Sequence, residues 1–328
     1  MIDYEKVSIS AQELAASSNS EELLVVRVMR VLVAEGYAAN EGARRYTSTA
    51  LSAALTDPAI EACVVHSFDV TARVQSFLPE YFQQQGYHSP VHPKNGPFQY
   101  AFGTDLSFFE FLHSQPKRAQ TFNTYMTGNR SNRQHWLDWF PFHENVLRTW
   151  EERNDSKEML LVDMGGGKGH DLKRLLEKYP EAKGRLVLED LPGALQDFED
   201  HGCSITTYAH NIFTPQPVKG AAVYYTHFLL HDFPDQMCIE MLRQTDQAMG
   251  THSCILLNEI MLPETDCPSF FAAADITMMS NLSALARSKD QWKTLVHAAG
   301  LVIRKIWMSP DLRDWEVVIE IGRRSSDS

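Results

Sequence analysis

From residue 158 onward, short apolar runs alternate with segments of helical character. Four such runs can be read as buried strands, and they cover residues 159–164, 185–190, 221–225 and 254–259. The first is followed by a helix-like stretch that extends to Tyr179. Buried strands separated by helical segments predict an α/β domain with a mainly parallel sheet.

Upstream of residue 158 the spacing of apolar positions is helical. Residues 10–13 have capping-box spacing, and residues 21–35 carry apolar side chains at helical intervals before Gly36 ends the segment. Residues 43–48 could form a short β wing, so helix, helix and wing follow in the order of a winged-helix module. Residues 58–150 are mostly helical and rich in aromatic side chains, which could line a cavity for a flat ligand or simply fill a core.

Composition narrows the function classes. The 328 residues include 30 basic and 42 acidic ones, a formal net charge of −12, which disfavours a nucleic-acid partner. No run approaches the ~18 apolar residues of a membrane span, and the N-terminus lacks signal-peptide character, so no membrane association is predicted. Five scattered cysteines without CxxC spacing indicate reduced thiols and a cytoplasmic location. His227 and His231 have no evident third ligand, so no metal site is predicted.

The sharpest local signal is the sequence Val-Asp-Met-Gly-Gly-Gly-Lys-Gly-His at residues 162–170. Glycines between a strand and a helix permit a tight turn and close approach of a ligand to the backbone. His170 stands at the third position of a dinucleotide fingerprint, which argues against a pyrophosphate there. Asp190 or Glu189, at the end of the next strand, could hydrogen-bond a ribose diol. A nucleoside-like ligand without pyrophosphate fits best, and S-adenosylmethionine (SAM) is such a ligand.

Residues 161–170 and 186–192 resemble motif I and the following strand of the plant and fungal small-molecule O-methyltransferases. Residues 231–235, 256–263 and 291–301 are similar to further segments of that family. The resemblance implies a Rossmann-like class I methyltransferase sheet with helices on both faces, behind a mostly α-helical, winged-helix-like N-terminal part. We therefore predict a partial dimerisation domain at 1–55, a helical substrate-pocket linker region at 56–150 and a SAM-binding domain at 151–328.

The resemblance also assigns residues to the cofactor, SAM or S-adenosylhomocysteine. Gly165 and Gly167 would face its methionine part, Asp190 would hold the ribose hydroxyls, and residues 211–213 would flank the adenine. The predicted cofactor-binding set is Asp163, Gly165, Gly166, Gly167, Asp190, Leu191, Asn211, Ile212, Phe213 and His227.

The predicted catalytic residues are His231, Asp232, Glu259 and His66. His231 stands where the family has its general base, and Glu259 matches one of two acidic residues that steady that histidine. The segment Ala286-Arg287-Ser288 replaces the family's Glu-Arg-Thr, so the second carboxylate is missing. Met278, Met279 and Trp292 are predicted to form substrate-pocket walls.

A second resemblance points to fungal members of the family that act as SAM-retaining pericyclases. Residues 61–68, which include His66, and residues 211–218 are similar to that branch. Two functions therefore stay open. One is O-methylation of a hydroxylated aromatic or polyketide-type secondary metabolite, with His231 as general base. The other is a non-methylating pericyclase, cyclase or dehydratase of a fungal polyketide–amino-acid (pyridone-type) pathway that uses His66 and His231.

The family normally carries several more helices ahead of the region of residue 8, and these interlock two subunits. The resemblance thus implies a small-molecule substrate and a homodimer, weakened by the short N-terminus.

Overall fold

A computed structural model describes residues 8–131, 134–153, 158–196, 198–311 and 315–324. Its helices are α1 (Ala11–Ser17), α2 (Glu22–Ala34), α3 (Ala50–Ala54), α4 (Pro58–His66), α5 (Arg73–Ser76), α6 (Leu78–Gln85), α7 (Pro97–Phe102), α8 (Phe108–His113), α9 (Pro116–Ser131), α10 (Arg148–Arg153), α11 (His170–Lys178), α12 (Pro192–Leu195), α13 (Asp235–Asp246), α14 (Ser269–Leu282) and α15 (Lys289–Ala298). Its strands are β1 (Ser8–Ser10), β2 (Ala38–Asn40), β3 (Arg45–Ser48), β4 (Leu161–Met164), β5 (Leu186–Asp190), β6 (Thr206–Ala209), β7 (Val223–His227), β8 (Cys254–Leu262), β9 (Arg287–Ser288), β10 (Val302–Met308) and β11 (Glu316–Gly322).

The chain forms two compact units. Residues 1–72 and 111–132 make the first, and residues 73–110 and 133–328 the second, each as far as the chain is described. Residues 56–150 contribute to both units, and the predicted three-part division stays a prediction. None of the helices in the described ranges is long and apolar enough to cross a membrane.

In the first unit, helices α1 and α2 accompany a small antiparallel sheet of order β1-β3-β2. This is the predicted winged-helix-like arrangement. Ser10 and Glu13 form the capping box that begins α1. The small core beneath contains Ala11, Val26 and Tyr46. The outer side of α2 carries Leu24, Val28 and Val31 at i, i+4 and i+7, all strongly exposed. We call these three residues the α2 stripe.

The second unit is built on a mixed sheet of order β10-β11-β8-β7-β4-β5-β6, with β9 pairing to β8. The four predicted strands are β4, β5, β7 and β8, and they are parallel to one another. One apolar cluster packs residues of α13 and α15 against the sheet, and a second packs α11 against it. The predicted Rossmann-like sheet with helices on both faces is confirmed.

Strand connectivity locates the site. After β4 the chain continues to β5 and β6 on one side, whereas β7 and β8 lie on the other side of β4. The order therefore reverses between β4 and β7. Open α/β sheets bind ligands outside the carboxyl ends of their strands at this reversal. The glycine turn after β4 and the His231 segment after β7 both lie there.

The sheet ends at strand β10, which pairs with β11 alone among the described strands. The register shifts between Ile303 and Lys305, so that Arg304 stands outside the ladder as a bulge.

Candidate functional site

The turn after β4 depends on glycine. Gly165 and Gly167 have φ values of 75° and 58°, which side chains rarely adopt. The amide of Gly165 donates to the carbonyl oxygen of Glu189 over 2.7 Å, which holds the turn against the end of β5. A Cβ atom at Gly166 would overlap the carboxylate of Asp163, which lies fully buried beneath the turn. The turn thus presents bare backbone at the sheet edge.

Asp190, rather than Glu189, lies at this turn. Its Oδ2 accepts a hydrogen bond from the Gly167 amide at 2.8 Å, and its Oδ1 accepts one from the Leu191 amide at 2.7 Å. Glu189 is fully buried, and its carboxylate contacts Gln216 and His210 instead. The choice that the sequence left open is therefore resolved in favour of Asp190 as the residue beside the glycines.

Residues 211–213 form a tight turn beside Asp190. The Asn211 Oδ1 accepts a hydrogen bond from the Phe213 amide at 3.1 Å. Just before this turn, the His210 amide donates to the Asp190 carbonyl oxygen at 2.9 Å. Ile212 and Phe213 pack against the main apolar cluster, and the Phe213 ring lies 5.1 Å from the ring of Phe233, edge to face. The three predicted cofactor segments thus meet at one edge of the sheet.

A buried carboxylate joins His227 to this edge. Asp171, on the first turn of α11, accepts hydrogen bonds from Trp136 Nε1 at 3.0 Å and faces His135 Nε2 at 2.9 Å and His227 Nδ1 at 2.8 Å. Burial opposes ionisation of Asp171, but His227 and His135 outweigh it and hold its pKa well below the ordinary value. This contact leaves His227 Nε2 buried and without a hydrogen-bond partner among the described residues.

His231 lies between two carboxylates on the short 3₁₀ turn Leu230–Asp232. Its Nδ1 is 2.8 Å from Glu259 Oε2, and its Nε2 is 3.5 Å from Asp232 Oδ1. The other oxygen of buried Glu259 accepts the amides of Leu229 and Leu230 at 3.0 and 2.7 Å. Burial alone would lower the pKa of His231, but Glu259 and then Asp232 outweigh it and raise that pKa to about 9.

Arg287 clamps the turn that carries His231. Its fully buried guanidinium donates to the carbonyl oxygens of Leu230 and Phe233 at 2.9 and 2.8 Å, one on each side of His231 and Asp232. It also donates to Asp235 at 2.9 Å. The guanidinium therefore fixes both ends of the turn.

Helix α14, which carries Met278 and Met279, packs against the Leu230–Asp232 turn. Both methionines are half-buried on this helix. Trp292 is placed differently, because it lies wholly inside the main apolar cluster beneath the Arg287 guanidinium. Its burial leaves no surface for a substrate in this structure, so we do not retain it as a proposed substrate contact.

His66 belongs to the first unit, at the last position of α4. Its buried ring lies 5.2 Å from the Phe122 ring and 6.0 Å from the Tyr125 ring, both on α9. Burial, reinforced by the charge of Arg118, lowers the pKa of His66 to about 4. His66 is thus a neutral imidazole among aromatic rings at physiological pH.

The donor set suits a sulfonium nucleoside. The glycine turn offers bare backbone, no atom lies within 4 Å of a Cβ built at Gly167, and Asp190 supplies carboxylate oxygens beside it. Asp171 holds the Nδ1 atom of His227, and the buried Nε2 atom of the same ring is a polar group that a ligand could contact. The site residues therefore fit SAM.

Sequence reasoning missed several members of this site. Asp171, His135, His210, Gln216 and Arg287 were not predicted to take part. His210 directly precedes a predicted cofactor segment, and Asp171 directly follows the glycine motif at the start of a helix. Those positions were the available signals. Arg287 lies in the segment 286–288, in which Ala286 replaces the family's glutamate. The amide of Ala286 donates a hydrogen bond to Asp275 Oδ1 at 2.8 Å.

The chain matches known proteins over most of its length. The O-methyltransferase domain model matches residues 88–302. O-methyltransferase asqD of Emericella nidulans is 36% identical over 309 residues, 94% of this chain and 79% of that protein. Demethylsterigmatocystin 6-O-methyltransferase of Aspergillus flavus is 30% identical over 319 residues, 97% of this chain and 80% of that protein.

Solved structures of similar fold include LepI in complex with SAM, with a TM-score of 0.85 and 31% identity, covering 97% of this chain and 81% of that chain. A structure of a pericyclic reaction enzyme matches with a TM-score of 0.84 and 30% identity over the same shares of the two chains.

Proposed function

The chain belongs to the SAM-dependent O-methyltransferase family, and from that premise we propose that it methylates a hydroxyl group of an aromatic or polyketide-type secondary metabolite, with His231 as general base. The observation that carries this proposal is the His231–Glu259 pair. When the ring of His231 is neutral, Glu259 holds its Nδ1, and its Nε2, which lies 3.5 Å from Asp232 Oδ1, can take a proton. The naming of demethylsterigmatocystin as the acceptor of one relative supports the substrate class.

Each site residue has a separate role in the proposed methyl transfer. SAM supplies a methyl group activated by the positive charge on its sulfur. His231 Nε2 would accept the hydroxyl proton of the acceptor, and Glu259 would stabilise the imidazolium that results. A phenol, with a pKa of ~10, is still protonated at the pH where His231 becomes neutral, so it needs such a base. Met278 and Met279 on α14 would hold the apolar body of the acceptor, since in-line displacement depends mainly on positioning.

The pH dependence of the rate tests the role of His231. Only the neutral imidazole can accept a proton, so kcat/KM for methylated product should rise with pH and level off near the pKa of about 9. We expect His231→Ala to lose about 10²–10⁴ in kcat. His201→Ala, a change at an exposed histidine, is the matched control and should leave the rate unchanged. An unchanged rate of product formation in His231→Ala would exclude His231 as the base.

A second function is favoured by the same raised pKa. At neutral pH His231 is an imidazolium, which can polarise a carbonyl but cannot accept a proton. The structural similarity to a pericyclic reaction enzyme supports this alternative. The alternative is a SAM-retaining pericyclase, cyclase or dehydratase of a polyketide–amino-acid pathway in which His66 and His231 act on the substrate.

Mass spectrometry of the cofactor and products separates the two functions. Methyl transfer converts SAM to S-adenosylhomocysteine in step with a product one methyl group heavier. In the alternative function SAM stays intact, and the substrate is converted without gaining the mass of a methyl group. The rate of that conversion falls as the pH rises past about 9, because His231 is then no longer an imidazolium. In that case His66→Phe, which preserves an aromatic ring between Phe122 and Tyr125, should lower the rate, whereas methyl transfer by His231 should survive it.

A further inference from the structure

Three residues, each of which directly precedes one of the predicted cofactor segments, lie close together in the core of the second unit. Met164 directly precedes the glycine turn, Glu189 directly precedes Asp190, and His210 directly precedes the turn 211–213. The three residues thus lie at the carboxyl ends of β4, β5 and β6, respectively.

Gln216 joins these three residues. Its Nε2 lies 2.8 Å from Glu189 Oε2 and 3.3 Å from the Met164 sulfur. His210 Nδ1 lies 3.0 Å from the same Glu189 oxygen. The Gln216 Oε1 accepts the Val218 amide at 3.0 Å, which ties the network to the chain that follows the turn 211–213.

Backbone hydrogen bonds carry these contacts into the cofactor segments. The Gly165 amide donates to the Glu189 carbonyl oxygen, and the His210 amide donates to the Asp190 carbonyl oxygen. Displacement of the Glu189 or His210 side chain would thus move the residue that follows it. Neither side chain offers a surface to a bound cofactor, since Glu189 is fully buried and His210 is 9% exposed.

The burial of this polar network is energetically unfavourable. Glu189 Oε1 and His210 Nε2 are buried and have no hydrogen-bond partner among the described residues. Burial raises the pKa of Glu189, which shows that its charge is disfavoured there. Apolar side chains of the same size would avoid this cost, but they would add no directional contact between the three strand ends beyond the backbone ladder.

We propose that Met164, Glu189, His210 and Gln216 form a positioning network that sets the spacing of the three cofactor segments and thereby the affinity for the adenosine part of SAM. The proposal rests on the cofactor and is independent of which reaction follows, so failure to detect methyl transfer leaves it intact.

Calorimetric binding of S-adenosylhomocysteine and of 5′-methylthioadenosine to the whole protein tests the network. Each ligand contains adenosine. We expect His210→Ala and Gln216→Ala each to weaken the binding of both ligands about ten-fold, which corresponds to the loss of roughly one buried hydrogen bond. Glu189→Gln keeps an acceptor oxygen toward Gln216 and His210, so it should stay within about three-fold of the wild type.

Ser253→Ala is the matched control, because it removes an equally buried side-chain hydrogen bond, to the Ala221 carbonyl oxygen, at the opposite end of the strands. It should lower the unfolding temperature and leave both affinities unchanged. Folded His210→Ala and Gln216→Ala proteins with wild-type affinities would overturn the proposal. Should His210→Ala fail to fold, Gln216→Ala decides the proposal. A wild-type protein that binds neither ligand would overturn the cofactor assignment as well.

Discussion

At the scale of single residues, the charge state of His231 determines which chemistry the site can perform. Two carboxylates face its two ring nitrogens, and the nearer one, Glu259, is held ionised by the imidazole and by two backbone amides despite full burial. The raised pKa of His231 also makes the stability of the fold depend on pH. A folded-state pKa of about 9 against an ordinary 6.5 stabilises the fold fully below pH 6.5, and this contribution disappears as the pH rises to about 9.

Glu259→Gln tests this linkage. The amide can still accept the Leu229 and Leu230 amides but no longer attracts the imidazolium, so the pKa of His231 should fall. We expect the wild type to lose on the order of 2–3 kcal/mol of unfolding free energy between about pH 6.5 and 9, and the variant to lose much less. Urea denaturation at both pH values measures the difference. Asp232→Asn, which alters the more distant carboxylate, should have a smaller effect, and equal losses in wild type and Glu259→Gln would contradict the linkage.

At the scale of elements, the glycine turn shows what the sequence can predict. Glycines that end an apolar run and begin a helix act locally, so the turn and the four parallel strands could be predicted from neighbouring residues. Strand β6 could not, because all four of its side chains are exposed and it forms no apolar run. The contacts of Asp171 with His227 and of Glu189 with His210 were also unpredictable, since they join residues 56 and 21 positions apart through the strand order.

Gly166→Ala tests the packing of this turn. The added methyl group would overlap the buried Asp163 carboxylate, so the turn must shift away from the end of β4. We expect a loss of roughly 1–3 kcal/mol in stability and weaker binding of S-adenosylhomocysteine. Gly193→Ala, in helix α12, where a Cβ meets no atom within 4 Å, is the control: it should leave binding unchanged and should not lower stability. Calorimetry and thermal unfolding measure both, and wild-type behaviour of Gly166→Ala would show that the turn tolerates a side chain.

At the scale of the whole molecule, the α2 stripe concerns association. Leu24, Val28 and Val31 are 52%, 49% and 61% exposed and follow one face of a helix. A continuous apolar face of this kind is typical of a helix that packs against another chain. We therefore expect a homodimer in solution that uses this face.

Val28→Lys should convert the dimer to a monomer, because a charge would be buried in the centre of the stripe. Analytical ultracentrifugation measures the mass directly. Met308→Lys, at another exposed apolar side chain on strand β10, is the control and should leave the mass unchanged. A wild-type protein that is monomeric at all accessible concentrations would refute the dimer.

The bulge at Arg304, in the second unit, also concerns association between molecules. A flat outer strand offers its free amide and carbonyl groups to any other strand, which leads to stacking of sheets from molecule to molecule. Because Arg304 interrupts the ladder after Ile303, the regular part of the β10 edge is limited to residues 305–308 and begins with a charged lysine. A short, interrupted and charged edge disfavours the growth of fibrils from the sheet, so the proposed association through the α2 stripe would remain a closed pair.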